Sequence, residues 1–166
     1  ANEDVLQKVV LLAAFIPLLG GTGGNVGAQS STVVIRGLST QSISSLGSMK
    51  AVGREVMAGA LLGILMMLLV VPFAWWRGES ALVGISVGIS LLAITTLAAT
   101  AGAAFPLVFD GMGLDPALMS TPFITTCTDV AGTLIYLKTA EWLLIHLPQL
   151  QQAASISTQF LAASVF

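Results

Sequence analysis

Residues 117–137 read ALMSTPFITTCTDVAGTLIYL, a helix-length and largely apolar stretch whose single charge is Asp129. Asp129 is the only acid between Asp115 and Glu141. No base stands at its depth, because Lys8, Arg36, Arg54, Arg77 and Lys138 all fall at the ends of apolar stretches. A lone carboxylate at bilayer depth costs about 2.5–3.5 kcal/mol on insertion scales, and such residues usually mark an ion or substrate path. Water, a metal ion or a second copy of Asp129 is left as its partner. The alternative is a carboxyl that is protonated, or salt-bridged between helices.

Composition extends this reading to the whole chain. Of 166 residues, 55 % are hydrophobic and 8 % charged, with a mean hydropathy of +0.94; a soluble domain carries about a quarter charged residues. Four stretches, 9–35, 56–76, 80–109 and 117–137, are long enough for a hydrocarbon core that takes about 20 residues. In lipid each backbone donor and acceptor must be satisfied within its own segment, so spans of this length are helices; barrel strands are about half as long and alternate. The expected fold is an all-α integral membrane protein, a polytopic bundle with four recognisable spanning helices. Residues 1–147 form one transmembrane domain, followed at 148–166 by an uncharged tail or interfacial helix. The acidic N-terminus (Glu3, Asp4) and a long first apolar stretch argue against a cleaved signal peptide. The missing initiator Met points to a processed or truncated chain. A single cysteine, Cys127, excludes a disulfide framework or Cys-rich metal site within one chain.

The segment 36–55 holds Arg36, Lys50 and Arg54 against Glu55, which by the positive-inside bias makes it cytoplasmic. Trp75, Trp76 and Trp142 then share the outer interface, and the 105–116 turn, with Asp110 and Asp115, falls on the cytoplasmic side. Gly59 with Gly63, and Gly84 with Gly88, have the small-xxx-small spacing of close helix packing, their partners unspecified.

GGTGGNVG at 20–27 superficially resembles a phosphate-cradling loop, but it lacks the GK[ST] ending and lies inside a spanning segment, so nucleotide binding is excluded. Read as helix, Thr22, Asn25, Gln29, Thr32 and Arg36 form a polar stripe at three- and four-residue steps. Pro17 is expected to take a donor from Ala13 and bend that helix. In the last span Thr121, Thr125, Thr128, Asp129, Gly132 and Tyr136 form a second stripe, and Pro122 leaves the Leu118 carbonyl free, with the Thr125 hydroxyl, to hold water or a hydrated ion. The alternative is that Thr and Asn join helices to one another; the middle spans lack comparable stripes. A two-fold dimer would bring two copies of Asp129 together, matching a divalent ion. Oxygen-only ligands favour hard cations such as Mg²⁺ or Ca²⁺, and so sparse a site suits an ion that keeps several waters.

FIPLLGGTGGNVGAQSSTVVIRGLST (15–40) resembles the glycine-rich second helix of the MgtE magnesium channel family, and GLDPALMSTPFITTCTDVAGTLIYL (113–137) resembles its last helix; the likeness runs from residue 5 to about 146. The resemblance implies a homodimeric, multi-pass Mg²⁺ channel of the bacterial inner membrane, its pore on the dimer axis between these two helices. It implies that Asp129 binds the hydrated ion, with Thr125 one turn nearer the cytoplasm and Asn25 lining the pore. Thr22, Gln29, Thr121, Thr128 and Gly132 are expected along the same path. Asp115 and Glu55 match acids at the cytoplasmic mouth associated with regulatory Mg²⁺, though both also read as ordinary solvated loop charges. The family has five membrane helices preceded by cytosolic N and CBS domains, whereas this chain begins just before the second helix. Competing readings are a cation/proton exchanger with Asp129 as proton carrier, and a non-conducting assembly subunit. No enzyme is expected, since Asp129 is the only deep acid and His146 stands at a helix end. No nucleic-acid partner is expected either.

Overall fold

Helix boundaries follow from glycine, proline and one capping carboxylate. The computed structural model describes residues 14–43, 47–77 and 81–146. They form α1 (Ile16–Ser39), α2 (Ser48–Trp76), α3 (Ala81–Gly111) and α4 (Pro116–His146), with no strand among the described residues. Pro17 falls in the first turn of α1, a position where a missing N–H is least costly. Ala14 before it is helical and Phe15 is a turn, and Ala13, whose carbonyl the expected bend concerns, lies outside the described residues. α3 ends in a Schellman turn: Leu114 N–H reaches the Phe109 carbonyl at 2.9 Å and Gly113 N–H the Asp110 carbonyl at 3.0 Å, with Gly113 at φ 73°. One residue later the Asp115 carboxylate accepts the Ala117 N–H at 2.8 Å, and Pro116 opens α4. Asp115 is thus an N-cap in front of a proline at the first helical position.

α3 is the central element and packs on all three other helices, whereas α1 and α2 touch only slightly and α2 and α4 have no substantial interface. The small-xxx-small pairs meet across the α2–α3 interface. A β-carbon on Gly59 would lie 2.5 Å from Ala99 Cβ, and one on Gly63 would run into Thr95 and Leu92; from the other side Gly84 faces Ala74 and Gly88 faces Met67 and Val71. These contacts run in opposite chain directions, so α2 and α3 are antiparallel and share one backbone-close seam. Val83, Val87, Leu91 and Ile94 of α3 form the core with Leu19 and Tyr136.

Two helices are long and apolar enough to cross a membrane, α2 and the Val83–Gly111 part of α3. α1 and α4, at 24 and 31 residues, have the length but not the hydropathy, because their threonines, amides and Asp129 dilute it. All four expected stretches are thus helices, two of them apolar enough by composition to span a membrane and the other two long helices with polar faces. Residues 9–13 of the first expected span and the 148–166 segment lie outside the described residues.

Candidate functional site

Gly20, Gly23, Gly24 and Gly27 form the surface on which α1 meets α3 and α4. A β-carbon on Gly23 would lie 2.8 Å from Ile94 Cγ2 and 3.6 Å from Thr128 Cβ; one on Gly27 would press into Ile124 and sit 3.3 Å from the Ala98 carbonyl oxygen. Gly20 stands against Asp129 and Gly24 against Thr125. As residue numbers rise on α1 they fall on α4, so the helices are antiparallel and the pairs Gly20–Asp129 and Gly24–Thr125 lie one turn apart.

Asp129 is the fourteenth residue of the 31-residue α4. Its side chain is exposed and lines a cavity of about 260 Å³ with Thr133 and with Ile16, Pro17, Gly20 and Gly21 of α1. Thr133 Oγ donates to the Asp129 main-chain carbonyl at 2.8 Å, which leaves the carboxylate itself to the cavity. Among the described residues the one ion pair is Lys138 with Glu141, at 2.8 Å, so no described base neutralises Asp129. That pair is exposed at the far end of the helix; its hydrogen bond and opposite charge raise the Lys138 pKa and lower that of Glu141. Among the described residues no three His, Cys, Asp or Glu side chains cluster as a metal site.

The α4 stripe resolves into two adjacent rows. Thr121 and Asp129 are exposed, with Thr125 and Thr133 half-buried between and beyond them, whereas Ser120, Ile124, Thr128, Gly132 and Tyr136 are all buried. Thr128 lies against Gly23, a β-carbon on Gly132 would lie 3.4 Å from Ile94 Cδ1, and Tyr136 belongs to the apolar core rather than to a polar face. Thr125 Oγ donates to the Thr121 and Pro122 carbonyls at 3.1 and 3.2 Å, so its lone pairs remain available. On α1 the expected stripe stays on the outside: Asn25, Gln29 and Thr32 are exposed and Thr22 is half-buried, its hydroxyl donating to Leu18 O at 2.7 Å. The Asp129 cavity meets α1 at Ile16, Pro17, Gly20 and Gly21, and its lining does not include Thr22, Asn25, Gln29 or Thr32.

The two remaining acids stand apart. Asp115 is engaged as the α4 cap, and Glu55 lines a separate cavity beside Arg54. They sit on helices that, among the described residues, share no substantial interface. Sequence reasoning missed the capping role, although an Asp-Pro pair before a helix is its signal. It also missed Thr133, one turn beyond Asp129 on the same row.

A family model described as MgtE, divalent cation transporter, matches residues 16–139. The magnesium transporter MgtE of Thermus thermophilus is 41 % identical over 142 residues, covering 86 % of this chain and 31 % of that protein. The magnesium transporters MgtE of Bacillus subtilis and Enterococcus faecalis are 36 % and 34 % identical, over 81 % and 84 % of this chain and 30 % and 31 % of theirs. The chain thus spans a little under a third of the length of these curated relatives.

Proposed function

The chain belongs to the MgtE divalent cation transporter family, and on that premise we propose that it forms the conducting membrane part of a Mg²⁺ channel, with all four helices crossing a bacterial inner membrane and the path on the two-fold axis of a homodimer. The observation that carries this reading is Asp129, an exposed carboxylate at mid-helix with no described partner and a cavity in front of it. Facing lipid, such a group costs about 2.5–3.5 kcal/mol. Facing a second copy across water, it is solvated and doubled. The lipid-facing surface is instead the outer side of α2, where Met57, Leu61, Leu65 and Leu68 are exposed.

The paired carboxylates would supply two negative charges to a divalent ion. Mg²⁺ gives up water reluctantly, so Asp129 acts on the ion's hydration shell by charge and by accepting hydrogen bonds from it. Thr125 and the amides of Asn25 and Gln29 offer further polar contacts along the path, with Thr22 and Thr121 at its sides. Thr128 and Gly132 shape its wall from behind. No bond is made or broken. The membrane potential drives the ion at about 4.6 kcal/mol per 100 mV for two charges. Glu55 and Asp115, at the mouth, act separately and weakly on internal Mg²⁺.

Reconstitution of the chain in liposomes tests this. Mg²⁺ entry should rise with an imposed inside-negative potential and should not depend on a pH gradient. Entry driven by a proton gradient would identify an exchanger, and no entry at all would identify a non-conducting subunit.

A further inference from the structure

A second cavity, of about 150 Å³, opens between Val33, Val34 and Gly37 of α1 and Ala51, Arg54 and Glu55 of α2, with Ser42 and Ile43 at its edge. It exists because α1 and α2 each pack on α3 and scarcely touch one another, leaving a wedge between them. Most of its lining is apolar and its rim is charged. Arg36, Lys50 and Arg54 are exposed, and among the described residues none has an ion-pair partner, the one such pair being Lys138 with Glu141. Of these bases Arg54 lines the wedge, next to Glu55, and the 36–55 segment as a whole holds three bases against one acid, so this end of α1 and α2 carries net positive charge.

Lys50 and Arg54 stand one turn apart on α2, and the same face continues through Met57, Leu61, Leu65 and Leu68, all exposed. The order along this face is therefore cation first, then an apolar wall. Positive-inside orientation accounts for the bases but not for an apolar cavity bordered by one of them. A ligand with a negative head and an apolar body answers both the bases and the cavity, and basic pockets between membrane helices on the cytoplasmic side bind such lipids.

We propose that the α1–α2 wedge binds one anionic phospholipid. Its phosphate is held by Arg54 and Lys50 with Arg36 alongside, the arginine offering a paired-donor geometry suited to phosphate oxygens. Its acyl chains lie along Met57, Leu61 and Leu65 and enter the wedge beside Val33, which is 56 % exposed. The inference rests on the membrane reading and not on the ion path, so its failure leaves the channel proposal standing.

Native mass spectrometry of the detergent-purified chain, offered phosphatidylglycerol or phosphatidylcholine, tests it. Phosphatidylglycerol should be retained at one per chain and phosphatidylcholine should not. Arg54→Gln should cut retention about tenfold, the scale of losing one charge-assisted phosphate contact. Val33→Trp, which fills the wedge and changes no charge, should cut it as well. Lys138→Gln removes a base already paired with Glu141 and should leave it unchanged. If Arg54→Gln does not accumulate, Lys50→Gln and Val33→Trp carry the comparison. Equal retention of the two lipids, an equal loss with Lys138→Gln, or displacement of the lipid by millimolar inorganic phosphate would each overturn the proposal.

Discussion

Gly20 of α1 stands directly against the Asp129 carboxylate of α4: a β-carbon placed on Gly20 would lie 3.2 Å from Asp129 Oδ1, tighter than an ordinary contact. Gly21 borders the same cavity, but a β-carbon there would meet nothing within 4 Å. Gly20→Ala should therefore push the carboxylate aside and lower Mg²⁺ flux several-fold, while Gly21→Ala should change it much less. Flux measured side by side in liposomes checks the pair; equal effects would mean that the Gly20 contact does not position Asp129.

Deeper in the same seam, Gly27 has no room for a methyl, which would run into Ile124 and the Ala98 carbonyl. Gly27→Ala should overpack the α1–α3–α4 contact at a cost of about 1–3 kcal/mol. Thermal unfolding in detergent, followed by the change in helical circular dichroism, should show a clear drop in midpoint relative to Gly21→Ala.

The 20–27 segment illustrates how much was legible beforehand. Its helical state, the long helices, the polar stripe on α1 and the family resemblance all followed from residue spacing and the two motifs, and the match over 16–139 bears out the resemblance. The division of α4 into an open row and a buried row did not follow. Steps of three and of four both fit a 3.6-residue period, so Thr125 and Thr128 look equivalent until α1 and α3 are in place. Tyr136 went the same way, because a hydroxyl on a large ring reads as polar in sequence yet buries its ring in the core. The partner of a small-xxx-small pair is likewise a property of the neighbouring helix, which a single segment does not encode.

Asp115 offers a test of its capping role against a metal role. Asn caps a helix about as well as Asp, and Ala does not. Asp115→Ala should lose about 1 kcal/mol of stability, and Asp115→Asn should lose little. If Asp115→Asn instead changes the response to internal Mg²⁺ while leaving the unfolding midpoint alone, the carboxylate charge has a role beyond the cap.

Internal Mg²⁺ should inhibit this chain only shallowly. Glu55 and Asp115 lie on helices without a substantial interface, and a solvated carboxylate attracts a close opposite charge by roughly 1 kcal/mol per unit pair. Patch recording at stepped internal Mg²⁺ checks this; steep, cooperative closure would place a gate within the membrane helices themselves.

The proposed two-fold arrangement sets the open row of α4 near the axis. Thr125→Cys, with Cys127→Ala to remove the native thiol, should be trapped as a dimer by Cd²⁺ or oxidation. The same substitution at Leu61, on the exposed outer face of α2, should not. A strictly monomeric chain in both detergent and lipid would contradict the paired-carboxylate site.

The most direct measurement is Mg²⁺ flux through the Asp129→Asn chain in liposomes at fixed potential, with protein incorporation and the unfolding midpoint matched to the unaltered chain. The substitution keeps side-chain volume and removes only the charge. The account predicts severe loss of flux for Asp129→Asn and complete loss for Asp129→Ala. Undiminished flux in either would contradict the claim that Mg²⁺ passes by way of this carboxylate.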